Sequence, residues 1–134
     1  MNGLTLAYIG DGYYELKIRK HLIDLKLTDV NDLHKQAIKY TSGQAQSNIM
    51  DYLITSQFLS EEEMDAYKRG RNASSKGRRS LDAKTYGQAT GFEAMIGNLY
   101  LHNIERADEV IAIAIAWVEK GLTHGENSGQ KNKG

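Results

Sequence analysis

The chain has no cysteine and no proline. Without cysteine there is no disulfide, no thiolate metal site and no cysteine nucleophile, so any bound metal must rely on oxygen or imidazole; a reducing compartment fits this composition. Without proline the commonest helix breaker is missing. No apolar run approaches the ~18 residues that suggest a membrane span, and the start lacks the charged, apolar and small-residue segments of a secretory leader. A soluble, cytoplasmic protein with no membrane partner is expected. Net charge is also lacking, at +0. A global sum hides distribution, however: between Lys68 and Lys84 seven basic residues face a single acid, Asp82, a local charge of +6 that the rest of the chain must balance.

What is present is helical periodicity. At 134 residues with 40% hydrophobic content, the chain suits one compact core. Apolar residues recur at three- and four-residue spacing and no segment alternates as a strand would, which predicts an all-α fold. The first helix is expected from about Leu4 to Leu27, with Leu4, Tyr8, Tyr14, Ile18, Leu22 and Leu25 on its apolar side. Capping oxygens at Thr28 to Asp32 precede a second helix to Tyr40, and a third follows from Ser42 to Thr55. Ser60 and Glu63 form a capping box with a Leu59–Met64 staple, starting a helix to about Arg71. Ser74 to Ser80 is polar and contains Gly77, which predicts an exposed loop before a helix over Asp82–Asn103. A last helix, Arg106–Lys120, should bury Val110, Ile111, Ala114, Ile115 and Val118 and stop at Gly121. The domain is expected to span 1–122, with 123–134 a disordered polar tail.

Two carboxylates stand out against this pattern. Asp11 interrupts an uncharged opening in Leu6-Ala7-Tyr8-Ile9-Gly10-Asp11. The position is expected to be largely buried, where a carboxylate needs a hydrogen bond, a partner charge or a cation. Gly10 and Gly12 flank it, each costing ~1 kcal/mol in a helix interior, and close approach of a backbone or a ligand would account for them. Glu93, in Thr90-Gly91-Phe92-Glu93-Ala94-Met95, lies one residue off a core stripe of Phe92, Met95, Ile96 and Leu99. A lone acid on a helix is usually solvated or half of an ion pair, and Glu15 with Arg19 four residues on fits that ordinary role. Oxygen ligands converging from two helices would instead suit Mg²⁺. The histidines, His21, His34, His102 and His124, show no ligand spacing such as His-x-x-x-His. Tyr8, Tyr13, Tyr14, Tyr86 and Phe92 fit core packing or a subunit seam better than base stacking.

The segments Tyr8-Ile9-Gly10-Asp11 and Thr90-Gly91-Phe92-Glu93-Ala94-Met95-Ile96-Gly97 resemble the two signature helices of the ribonuclease III catalytic domain. Asn31-Asp32-Leu33-His34-Lys35 and Lys68-Arg69-Gly70-Arg71-Asn72-Ala73 extend the resemblance to its short Mini-III members, up to about Gly121. The resemblance implies a dimeric, single-domain helical endonuclease in which Asp11 and Glu93 are catalytic and metal-binding residues. It further implies cleavage of double-stranded RNA with Mg²⁺, or Mn²⁺ in its place, in maturation of the large-subunit (23S) ribosomal RNA precursor. The partners implied are that RNA and a second copy of the chain, with room for a ribosomal protein that presents the substrate. Where the larger enzymes carry two further carboxylates, this chain has Ala7 and Thr90. That departure leaves the metal count open, and motivates the alternative of a catalytically impaired helical dimer that binds double-stranded RNA. Backbone contacts to RNA are assigned to Lys68, Arg69, Arg71, Lys76, Arg78, Arg79 and Lys84, with His34 and Lys35 as further candidates.

Overall fold

The computed structural model describes residues 1–74 and 82–133, with side chains as far as Leu122. Its helices are α1 (Gly3–Asp24), α2 (Val30–Thr41), α3 (Gly43–Thr55), α4 (Glu61–Ser74), α5 (Ala83–His102) and α6 (Ile104–Lys133), and no strand occurs among the described residues. The all-α expectation holds. Among the described residues no helix is long and apolar enough to cross a membrane.

Helix starts are fixed by side-chain oxygens. Asn2 accepts from the Thr5 amide, Asp29 from Asn31 and Asp32, and Ser42 from Ala45. The capping box forms as expected: the Ser60 amide donates to Glu63 at 2.9 Å and the Glu63 amide to Ser60 Oγ at 3.2 Å. Glu63 also accepts from Arg106, which joins the start of α4 to α6.

The ends of α1, α4 and α6 differ from expectation, whereas α3 ends at Thr55 as expected. α1 stops at Asp24 because Lys26 adopts φ 70°, letting the amides of Lys26 and Leu27 bond back to Ile23 and Leu22. Gln57, at φ 56°, closes α3 in the same way. Conversely, Gly121 does not stop α6, which runs through it to Lys133, the side chains of 123–133 lying outside the described set. Ser74 belongs to α4 and is buried, while the rest of the expected loop, 75–80, lies outside the described residues.

α5 is the axis of the molecule, buried along most of its length from Gly87 to Leu99, with α1, α3 and α4 packed around it. Phe92 is fully enclosed, with the Tyr14 ring edge-on at 5.0 Å. α6 adds Ala107, Val110, Ile111, Ala114 and Val118 to the core, with Ile115 partly covered. One expectation for α1 needs correction: its buried line is Gly3, Leu6, Ala7, Gly10, Tyr14, Ile18 and Leu22, whereas Leu4, Tyr8 and Leu25 are exposed. The small residues Gly3, Ala7 and Gly10 set that line, because they let neighbouring backbones approach more closely than a leucine or tyrosine would.

Candidate active site

The site is made where α1 and α5 cross at two glycines. A Cβ placed on Gly10 of α1 would sit 1.8 Å from the Glu93 carbonyl oxygen of α5, and one on Gly97 would sit 2.0 Å from the Leu6 carbonyl. No side chain separates the two backbones there. Asp11 follows Gly10 and Glu93 lies one turn before Gly97, so the crossing itself brings the two carboxyl groups into hydrogen-bonding reach. Gly10 is thus explained by close backbone approach, but Gly12 is not, for nothing lies within 4 Å of its added Cβ.

Asp11 is exposed rather than buried. It stands about 100° around α1 from Gly10, on the face shared with Tyr8, so the contact that covers Gly10 leaves it on the rim. Glu93 is half-buried at the edge of the core face, as its position off the stripe predicts. Burial, the shared hydrogen bond with Asp11 and the negative charges of Asp11 and Glu15 push the Glu93 carboxyl up to about 8. The hydrogen bond it receives from Gln46 acts in the opposite direction. Glu15 makes its ordinary pair with Arg19 at 3.6 Å while its charge still reaches Glu93.

Gln46 was not legible as a site residue from the sequence. It lies one turn into α3, is 2% exposed, and its Nε2 donates to the Thr41 carbonyl at 3.1 Å and to Glu93 Oε2 at 3.4 Å. A usable signal was present: glutamine occupies the α3 stripe otherwise made by Ile49, Met50 and Leu53. The next residue fixes the helix register, since Ser47 Oγ donates to Gln88 Oε1 and Gln88 Nε2 donates to Asp51 at 2.8 Å.

Ala7 and Thr90, which replace the two further carboxylates of the larger enzymes, are both buried, and the Thr90 hydroxyl donates to the Tyr86 carbonyl. Neither offers a ligand. Among the described residues no group of three or more His, Cys, Asp or Glu is arranged to hold a metal ion. The donor set at the crossing is therefore two carboxylates and the amide of Gln46, whose Oε1 is buried and receives no hydrogen bond from the described protein. All-oxygen donors of this kind fit a hard divalent cation that keeps several waters.

The expected RNA contacts are spread over neighbouring surfaces. Lys68 and Arg69 are exposed on α4 beside Asn72 and Asn98, in a groove that also holds Glu62 and Asp65. Arg71 and Lys84 line an adjacent cleft with Tyr67 and Gly87, Arg71 lying 5.4 Å from the centre of the Tyr67 ring. His34 and Lys35 are exposed on α2, and His34 borders a groove containing Glu15 and Arg19. Lys76, Arg78 and Arg79 lie outside the described residues. Tyr14 and Phe92 are core, Tyr13 packs on Tyr100, and Tyr8 and Tyr86 are exposed.

Residues 4–103 match the model of the ribonuclease III domain. A Mini-ribonuclease 3 of Acholeplasma laidlawii is 47% identical over 93% of this chain and all of its own length. That of Streptococcus pneumoniae is 40% identical over 89% of this chain and 94% of its own. A crystal structure of a protein from Fusobacterium nucleatum superposes with a TM-score of 0.74 at 32% identity, covering 87% of this chain and 93% of that one. With a domain match over most of its helices and relatives of nearly its own length, the chain belongs to the ribonuclease III family, among the Mini-ribonuclease 3 proteins, and is an endoribonuclease of that type.

Proposed function

We propose that this endoribonuclease cuts double-stranded RNA with Mg²⁺ held by Asp11 and Glu93, and that its cytoplasmic substrate is the precursor of 23S ribosomal RNA. The observation that carries the reading is the pairing of those carboxyls at the Gly10–Gly97 crossing, where like groups meet at the edge of the core. Such an arrangement costs stability unless a proton or a cation relieves it. The Mini-ribonuclease 3 relatives support the RNA substrate class.

Asp11 presents its oxygens from the open side and Glu93 from the wall of the core, so an RNA phosphate has access from solvent to both. Burial and Asp11 favour the protonated form of Glu93, so metal binding works against that upward shift. When bound, Mg²⁺ supplies a water of lowered pKa for in-line attack and screens charge on the phosphoryl oxygens; Mn²⁺ supplies the same chemistry. Exposed Lys68, Arg69 and Lys84 and half-buried Arg71, with Lys76, Arg78 and Arg79, neutralise backbone phosphates of an A-form duplex, whose shape rather than base sequence is read. His34 and Lys35 extend that contact on the α2 side.

A homodimer completes the reading. Leu4 and Tyr8, the latter 83% exposed, share the open face of α1 with Asp11, and an apolar face of that kind is suited to a second copy of the chain. Two such sites would act on the two strands of one duplex. A ribosomal protein that presents the precursor is compatible with it.

The deciding experiment incubates purified protein with structured RNA and Mg²⁺ beside Asp11→Asn. Cleavage should fall by more than about a hundredfold. Equal cleavage by both proteins overturns the assignment, whereas RNA binding without cleavage under any divalent ion establishes the impaired binding dimer instead.

A further inference from the structure

Gln46 holds the one buried side-chain polar atom among the described residues that lacks a hydrogen-bond partner, its Oε1. The orientation of the amide is set by its surroundings. Both hydrogens of Nε2 face acceptors, the Thr41 carbonyl at 3.1 Å and Glu93 Oε2 at 3.4 Å. Turned over, the amide would set its own oxygen against a carbonyl and a carboxylate, leaving two acceptors and the NH₂ group unpaired. The unsatisfied acceptor therefore follows from the packing. A buried acceptor without a donor is unfavourable, and proteins commonly satisfy one with an ordered water that has two or more further polar partners.

The surrounding structure holds this amide firmly. Ser42 caps α3 and accepts the Gln46 amide at its carbonyl, at 2.9 Å, so Gln46 stands on the first turn against the last residues of α2. The Ser47–Gln88–Asp51 chain locks α3 onto α5 beside it. Core packing alone would be served by leucine or methionine at such a position. A glutamine that ties the α2–α3 junction to a carboxylate at the candidate cation site, at the cost of a buried unsatisfied oxygen, has a different use.

Resting on the reading that Asp11 and Glu93 hold a divalent cation, we propose that Gln46 is the positioning residue of that site: Nε2, anchored on the Thr41 carbonyl, fixes the Glu93 carboxylate. With only two carboxylates available, a neutral group that orients one of them supplies order without adding charge. Outer partners of this kind typically contribute ten- to a hundredfold in metal affinity.

The test measures Mn²⁺ affinity by calorimetry in the full chain, without RNA, for wild type, Gln46→Leu, Gln46→Met, Asp11→Asn and Glu93→Gln. Melting of the metal-free proteins and RNA affinity without metal are recorded in parallel. Gln46→Leu or Gln46→Met should weaken Mn²⁺ binding by about tenfold or more, while metal-free melting and RNA affinity stay near wild type. At saturating Mn²⁺ the KM for RNA should be unchanged and kcat largely recovered. A purely structural role would lower the melting temperature and leave metal affinity alone, and that result overturns the proposal. Unchanged Mn²⁺ affinity in the folded Gln46 variants, with Asp11→Asn and Glu93→Gln both weakened, overturns the role of Gln46 only. Unchanged affinity in all the variants overturns the cation site and this inference with it.

Discussion

Glu93 shows how a single residue couples stability to function. Its carboxyl rises from an ordinary 4.5 to about 8, chiefly through burial and then through Asp11. A carboxyl with a raised folded-state pKa contributes stability fully below its unfolded pKa, and that contribution is lost as pH rises through the folded value. The metal-free protein should therefore melt at progressively lower temperature between about pH 4.5 and 8, and Glu93→Gln should flatten that part of the profile. Scanning calorimetry in chelator checks this; parallel slopes in the two proteins would refute it. Saturating Mg²⁺ should remove most of the decline in wild type alone. At this scale the sequence was informative about identity and less so about surroundings. Asp11 and Glu93 stood out as acids beside apolar stripes, but the exposure of Asp11 depends on which side of α1 the α5 backbone approaches, a tertiary fact that α1 does not carry by itself.

At the scale of the element, the starts of helices were legible and several stops were not. Ser60 and Glu63 announce α4 because the reciprocal bonds are local, and Ser60→Ala should cost about 1 kcal/mol, measurable in a urea melt. The stop at Lys26 escaped notice because the left-handed residue that closes α1 is not glycine. Gly121 misled in the other direction. It sits exposed inside α6 with nothing within 4 Å of an added Cβ, so Gly121→Ala should stabilise by about 0.5–1 kcal/mol rather than disrupt a cap. Gly10→Ala is the opposite case: its Cβ would meet the Glu93 carbonyl, α1 and α5 must part, and overpacking of this kind costs about 1–3 kcal/mol or more. Cleavage should fall with it even where the protein is still folded, which far-ultraviolet circular dichroism beside an RNA assay will show.

For the whole molecule, zero net charge coexists with exposed Lys68, Arg69 and Lys84 and half-buried Arg71 on neighbouring surfaces of α4 and α5. RNA affinity should accordingly fall steeply as salt rises, and Lys68→Glu with Arg69→Glu should reduce the slope of log affinity against log salt. Affinity indifferent to salt would exclude phosphate contacts by these residues. Sedimentation should find a dimer that Tyr8→Arg converts to monomer without loss of helix content. The all-α class was readable because no segment alternates as a strand would and helices such as α3 and α6 carry an apolar repeat, although the buried line of α1 is set by small residues. Which helix lies at the centre was not, because α5 is identified as the axis only once its neighbours are in place around it.

The glycine crossing has one more consequence. Flexible side chains normally buffer a binding site against small shifts of its scaffold, yet between Gly10 and Gly97 the spacing of the site is set by main chain resting on main chain. The crossing behaves as a caliper with no play, and the Glu93 titration is its scale. Any ligand, pressure or temperature change that loosens α1 from α5 should register first as a falling Glu93 pKa, before any helix unwinds.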